Sequence, residues 1–256
     1  MSERIRTALL AGLLFAVILF FAPRILWVTV VLAGFAGCVS EWIKLCGYAG
    51  WRLLSITLTA TIFALILFFF IGNVEFVKWR WLIYSDLVFW IVLAPFWLVK
   101  PIMFRGWFLA LLGIFLFIPF ALSLILLRDI SPVRLLRYMA VLWVSDSFAY
   151  FSGRTVGYHK LAPAISPGKT WEGVAGGMLA VGLYAIIVNW PLSGFFQTCG
   201  MLAMAVIGII GDLFESKIKR YANVKDSGNL LPGHGGLLDR LDSQIAALPL
   251  ALLLIR

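Results

Sequence analysis

Acidic side chains are scarce in this 256-residue chain, which carries 12 Asp and Glu against 21 Lys and Arg. Charged residues of both signs reach only 13%, where a soluble domain carries roughly 25%. Too little polar sequence remains to coat a soluble all-α protein, and that class is excluded. Cysteine is nearly absent. Cys38, Cys46 and Cys199 are scattered, odd in number and without metal spacing, so neither a disulfide framework nor a zinc site is indicated. No internal repeat is evident, which weakens a transporter built from duplicated halves. The net charge of +9 comes without the basic–aromatic pattern of nucleic-acid binding. In a membrane protein such an excess reflects topology and attraction to anionic lipid.

Apolar sequence is plentiful. Hydrophobic residues make up 62% of the chain, and mean hydropathy is +1.01. By the standard of roughly 20 apolar residues per crossing, about nine runs qualify: 5–22, 25–45, 53–71, 81–99, 104–127, 133–151, 171–190, 195–214 and 237–255. The expected fold is therefore all-α, a polytopic membrane protein with about nine transmembrane helices in a single domain over 1–256. Arg4 and Arg6 precede the first run, and no small-x-small cleavage pattern ends it before Pro23. It reads as a retained first helix with a cytoplasmic amino terminus. Counting spans then puts loops 44–52, 100–105, 152–170 and 215–236 on the cytoplasmic side, each bearing Lys or Arg. The loop at 128–137 conflicts, because Arg128, Arg134 and Arg137 fall outside. Two spans separate loops 152–170 and 215–236, so these share a face in either orientation.

The few acids are not spread evenly. Asp212, Glu215, Asp226, Asp239 and Asp242 fall in one stretch, with Lys217, Lys219, Arg220, Lys225, Arg240 and His234 among them. Ionisable groups at the edge of a hydrocarbon layer cost several kcal/mol each unless they serve a site. Residues 1–140 read as scaffold helices, and 141–256 as a catalytic half with two cytoplasmic polar loops. If 201–219 is helical, Asp212, Glu215 and Lys219 share one face, with Ser216 a turn from Asp212. A helix beginning near Gly236 carries Asp239, Asp242 and Ser243 in its first two turns. Carboxylates from two such helix ends can converge on a hard divalent cation; magnesium prefers oxygen ligands and completes its shell with water and substrate phosphate. Lys219, Arg220, Lys225 and Arg240 complement phosphate oxygens. Gly228, Gly233, Gly235 and Gly236 leave backbone amides open to an anion. A solvated loop would explain scattered charges, but not acids in register with helix periodicity beside a glycine turn. For His234, a structural hydrogen bond and a phosphate or proton-transfer role stand side by side.

A second polar island runs from Trp143 to Gly173. Asp146 lies inside an apolar run. The segment Ser166-Pro-Gly-Lys-Thr170 ends like a phosphate loop, but that motif needs glycine where Pro163 stands. What survives is a proline-stiffened loop that offers Ser166, Lys169 and Thr170 to a phosphate. Glu172 then either offsets the dipole of the next helix or joins the site.

The string S-K-I-K-R-Y-A-N-V-K-D-S-G-N-L-L-P-G-H-G-G-L-L-D-R-L-D, Ser216 to Asp242, resembles the signature of the phosphatidate cytidylyltransferases, the CDP-diacylglycerol synthases. D-S-x-A-Y-x-x-G-R from Asp146 and S-P-x-K-T-x-E-G from Ser166 are similar to two further blocks of that family. The resemblance covers roughly 143–243. It implies transfer of the cytidylyl group of CTP to phosphatidate, with pyrophosphate released. It also implies a bacterial inner membrane, a site facing the cytoplasm, magnesium with a second cation admissible, no nucleic acid, and a homodimer as an admissible assembly. For this reaction Asp212 and Asp239 are the first-choice metal ligands, with Asp242 and Glu215 beside them. The assigned catalytic set adds Lys219, Arg220, Lys225, His234 and Arg240. Substrate contacts fall to Asp146, Ser166, Lys169, Thr170, Ser216, Gly235 and Gly236. A CTP-dependent lipid kinase of the dolichol or phytol type is the alternative, and a transporter is the rival from another class. The D-G-x-x-A-R pattern of CDP-alcohol phosphatidyltransferases is missing.

Overall fold

The structure, a computed structural model, describes residues 2–71, 80–100, 106–189, 194–230 and 235–255. Its helices are α1 Ser2–Phe21, α2 Arg24–Leu45, α3 Gly50–Ile71, α4 Arg80–Val88, α5 Ala94–Val99, α6 Trp107–Ile130, α7 Pro132–Val156, α8 Trp171–Val188, α9 Phe195–Tyr221 and α10 Leu238–Leu254. A π-helical turn, Phe89–Leu93, joins α4 and α5 into one rod. Each apolar run of the sequence is thus occupied by helix among the described residues. Six rods are long and apolar enough to cross a membrane: Arg24–Leu45, Gly50–Phe69, Arg80–Val99, Trp107–Ile130, Trp171–Val188 and Phe195–Tyr221. The polytopic helical membrane fold stands. The expected count of nine is not reached among the described residues: α1 offers only the shorter apolar helix Gly12–Phe21, α7 carries Arg134, Arg137, Asp146 and Arg154, and α10 has only 17 residues with Asp239, Arg240 and Asp242 at its start.

Local sequence sets the ends. Pro23 cannot continue α1, and its fixed φ starts α2 at the next residue. Gly47, at φ 90°, ends α2: its N–H bonds to the Lys44 carbonyl and that of Tyr48 to Ile43, a Schellman closure. Asn223 does the same for α9, at φ 58°, with Val224 N–H on the Lys219 carbonyl. Ser131 caps α7 and Thr170 caps α8, each accepting an amide three residues on.

One departure is local. Lys160–Ala162 and Ser166–Thr170 pair as a small antiparallel hairpin, β1 and β2, so the proline-stiffened loop is a strand that runs straight into α8. Pro167 lies in the outer strand of this two-stranded sheet, the kind of position where its missing N–H is tolerated.

The core lies around α10, whose Ile245, Ala246, Ala247, Leu248 and Ala251 are buried against α9 and α6. Phe214 of α9 is ringed by Trp42, Phe89, Trp90 and Trp97, with centroids 5.0–6.3 Å away. Beside it, Lys217 donates to the Trp97, Leu98 and Lys100 carbonyls at 2.5, 3.1 and 2.7 Å, which closes the carboxyl end of α5. Phe214 therefore fixes the charged end of α9 to both α2 and α5. Phe214→Ala is expected to cost about 3–5 kcal/mol, read as a lower melting temperature in detergent.

Of the three arginines at 128–137, Arg128 is engaged by the fold. Arg128 donates to the Leu19 and Ala22 carbonyls at the end of α1 and lies over the Trp27 ring, and Arg24 pairs with Asp129 at 3.0 Å. Arg128 thus closes the carboxyl end of α1.

Candidate active site

Three helices and one hairpin meet at a single place. α9 delivers Asp212, α10 delivers Asp239, Arg240, Asp242 and Ser243, and α7 with β2 delivers Asp146, Arg154, Ser166, Lys169 and Thr170. Together they line one end of a cavity of about 1220 Å³. Its other walls are apolar, formed by Phe15, Leu19 and Phe20 of α1 and Leu136, Met139 and Trp143 of α7. Gly211 lets α9 and α10 close at this point: a Cβ there would stand 2.6 Å from Ala246 Cβ and 2.8 Å from the Asp242 carbonyl. The two helix backbones touch where their carboxylates begin.

The polar loops share a face, as expected from the span count. Lys169 Nζ lies 2.5 Å from Asp212 Oδ2, and Arg220 donates to the Ile165 carbonyl at 3.3 Å. Ser216 donates to Asp212 Oδ1 at 3.3 Å and orients that carboxylate rather than facing the cavity. Lys219 is largely buried and bridges Glu215 Oε2 and Asp239 Oδ1, 2.5 Å from each. Asp239 also accepts the Ser227 and Gly236 amides at 3.0 and 2.9 Å. Charge-assisted bonds of this kind hold a carboxylate in its ionised form.

Several sequence-assigned residues stand off the cavity. Glu215, Ser216, Lys219, Arg220, Lys225, Gly235 and Gly236 do not line it. Lys219 is committed to the acids, Arg220 to the Ile165 and Val224 carbonyls, and Lys225 is exposed. Glu215 lines a much smaller cavity with Trp90, Phe214 and Asp242. His234 lies outside the described residues. Glu172 proves to be a clasp: it accepts the Tyr158 and His159 amides and the His159 ring at 2.6 Å, and it does not line the cavity. Among the described residues, no three of His, Cys, Asp and Glu gather as a metal-holding group.

The model of the cytidylyltransferase family matches residues 2–256. The chain belongs to that family. Among its relatives are proteins named phosphatidate cytidylyltransferase from Haemophilus influenzae, 49% identical over 124 residues (45% of this chain, 43% of that one), and from Brucella abortus (strain 2308), 44% identical over 154 residues (56% and 54%). A third, from Bacillus subtilis, is 45% identical over 113 residues (43% and 42%). The matches span about half the length of the curated relatives.

In this cytidylyltransferase-family chain, sequence reasoning missed two participants. Arg154 lines the cavity and donates to the Tyr150 hydroxyl at 3.0 Å; its place in the D-S-x-A-Y-x-x-G-R block, one helical turn from Tyr150, was the available signal. Glu41, in α2, is fully buried and accepts the amides of Leu237 and Leu238 at the start of α10. A lone acid within the apolar run 25–45 was the signal there.

Proposed function

We propose that this chain transfers the cytidylyl group of CTP to phosphatidate, forming CDP-diacylglycerol and releasing pyrophosphate. The observation that carries the reading is the two-natured cavity, apolar along α1 and the first half of α7 and charged where α9, α10, β2 and the second half of α7 meet. A lipid whose head is a phosphate monoester matches both halves at once, acyl chains against Phe15, Leu19 and Trp143 and phosphate toward Lys169 and Arg240.

The chemistry asks for no activated serine or cysteine. An oxygen of the lipid phosphate attacks the α-phosphorus of CTP; a new P–O bond forms, and the bond from that phosphorus to the bridging oxygen breaks, its electron pair leaving with pyrophosphate. The difficulty is electrostatic, because polyanions must approach one another, and such sites act by alignment and charge. Arg154, Lys169 and Arg240 supply positive charge to orient the phosphates. Thr170 and Ser166 offer hydroxyls at the same wall.

Magnesium fits the donor set. Asp212, Asp239 and Asp242 present hard oxygens to one cavity, and this ion keeps water and substrate oxygens rather than a full protein cage, which suits a site without three assembled acids. One or two of those aspartates would hold it, with water and substrate oxygens completing the shell, and when bound it would neutralise triphosphate charge. Glu215 is left out, because it faces away from the cavity. Placement in a bacterial inner membrane with the site toward the cytoplasm belongs to the same proposal, supported by the basic loops on that face and by the bacterial relatives.

The test is incubation of the purified protein with labelled CTP, phosphatidate and magnesium, with both products identified. CDP-lipid with pyrophosphate is expected. A lipid that gains one phosphate while CDP is released would assign the chain to the lipid kinases instead.

A further inference from the structure

Two carboxylates divide the amides around the start of α10. Asp239 takes those of Ser227 and Gly236. Glu41 takes those of Leu237 and Leu238, at 3.1 and 2.8 Å, and the Ser227 hydroxyl at 2.9 Å. A helix begins with N–H groups that have no acceptor within it. α10 supplies none of its own, since its N-cap is Leu237 and no side-chain cap bond is formed there. Glu41 therefore caps α10 from the far end of the sequence, and its charge faces the positive end of the helix dipole.

The surroundings are shaped to admit this one side chain. Glu41 is 0% exposed. A Cβ on Gly236 would stand 2.6 Å from Glu41 Oε2 and 2.8 Å from the Gly228 amide nitrogen, and a Cβ on Gly228 would collide with the same carboxylate. The glycines that read as a cradle for a substrate anion thus make room, at 228 and 236, for an anion of the protein itself. A buried carboxylate with three hydrogen bonds is a rigid anchor, because any displacement leaves buried polar groups unpaired.

We propose that Glu41 is a positioning residue of the transfer site. By holding the first turn of α10, it fixes where Asp239, Arg240 and Asp242 stand relative to Asp212 and Lys169 across the cavity. It does not line the transfer cavity, and it acts through the start of α10 and through Ser227. This rests on the reading of the cavity given above.

The test uses the full chain in detergent with two variants, Glu41→Gln and Ser227→Ala. Glutamine keeps the volume but has one acceptor oxygen, and its amide group must turn toward an N–H donor. In Glu41→Gln, exchange of the Leu237 and Leu238 amides is expected to rise at least about tenfold, while α6 and α9 exchange as in the wild type. The kcat per folded molecule is expected to fall about 30-fold, more than any change in KM for phosphatidate, because the apolar wall is untouched. Ser227→Ala loses one hydrogen bond and should lower kcat about threefold. Wild-type kcat per folded molecule in Glu41→Gln, or a loss matched wholly by a smaller folded fraction with unchanged exchange at 237–238, overturns the proposal. Should Glu41→Gln not fold, a wild-type kcat in Ser227→Ala overturns it. If the wild type makes no CDP-lipid, the functional reading fails, and the exchange measurement alone decides whether Glu41 holds α10.

Discussion

The Asp239→Asn protein is expected to fold and to keep its apolar cavity wall, yet to make CDP-diacylglycerol roughly a hundredfold to a thousandfold more slowly than the wild type. Asp239 satisfies three donors in the structure, Lys219 Nζ and the amides of Ser227 and Gly236. Asparagine offers a single acceptor oxygen, and its amino group must face one of those donors. The substitution also removes a charge from the set proposed to hold magnesium, and it leaves Lys219 paired with Glu215 alone. Product formation measured beside a thermal melt separates loss of chemistry from loss of fold. Near-normal turnover in a folded variant would refute the assignment of Asp239 to the site.

Lys219→Met is expected to be strongly destabilising, by about 3–5 kcal/mol. Lys219 has 10% side-chain exposure and bridges Glu215, at 4%, and Asp239, at 10%. Without it two buried carboxylates face each other with no cation between them, and an unpaired buried charge costs more than the pair contributed. The double change Glu215→Gln with Lys219→Met should recover most of the melting temperature, because Asp239 retains its two amide donors. Activity should stay low, since the orientation of Asp239 also depends on the lysine. A Lys219→Met protein that melts like the wild type would show that the ion triad is not formed in solution.

How far the sequence revealed this arrangement depended on range. Long apolar runs marked every described helix, because burial and lipid contact impose them within each segment. Asp146, Ser166, Lys169, Thr170, Asp212, Asp239, Arg240 and Asp242 were legible as a site, since each is a polar group in or beside an apolar run within the two polar islands, and the structure brings them to one cavity. Which cation faces that cavity was not legible. Lys219 and Arg240 read alike as basic residues of one motif, but helix rotation turns the first toward buried acids and leaves the second at the cavity wall. Arg220 was diverted by a backbone carbonyl of the hairpin, a partner 55 residues away. β2 escaped notice because Pro167 and Gly168 mark turns more often than strands. Glu41 was visible as an anomaly within α2, yet nothing local pointed to its partners at 227, 237 and 238.

The change in composition near residue 140 invites a division that the molecule itself does not make. Glu41 completes the start of α10, Trp42 and Trp97 enclose Phe214, and the carbonyls at the end of α5 hold Lys217. Each of these ties joins an early segment to a late one at the charged end of the bundle. A polypeptide beginning at residue 141 would keep the acids while losing what aims them. The reactive portion is therefore not self-sufficient in this chain: the bland first half is the jig in which the second is assembled.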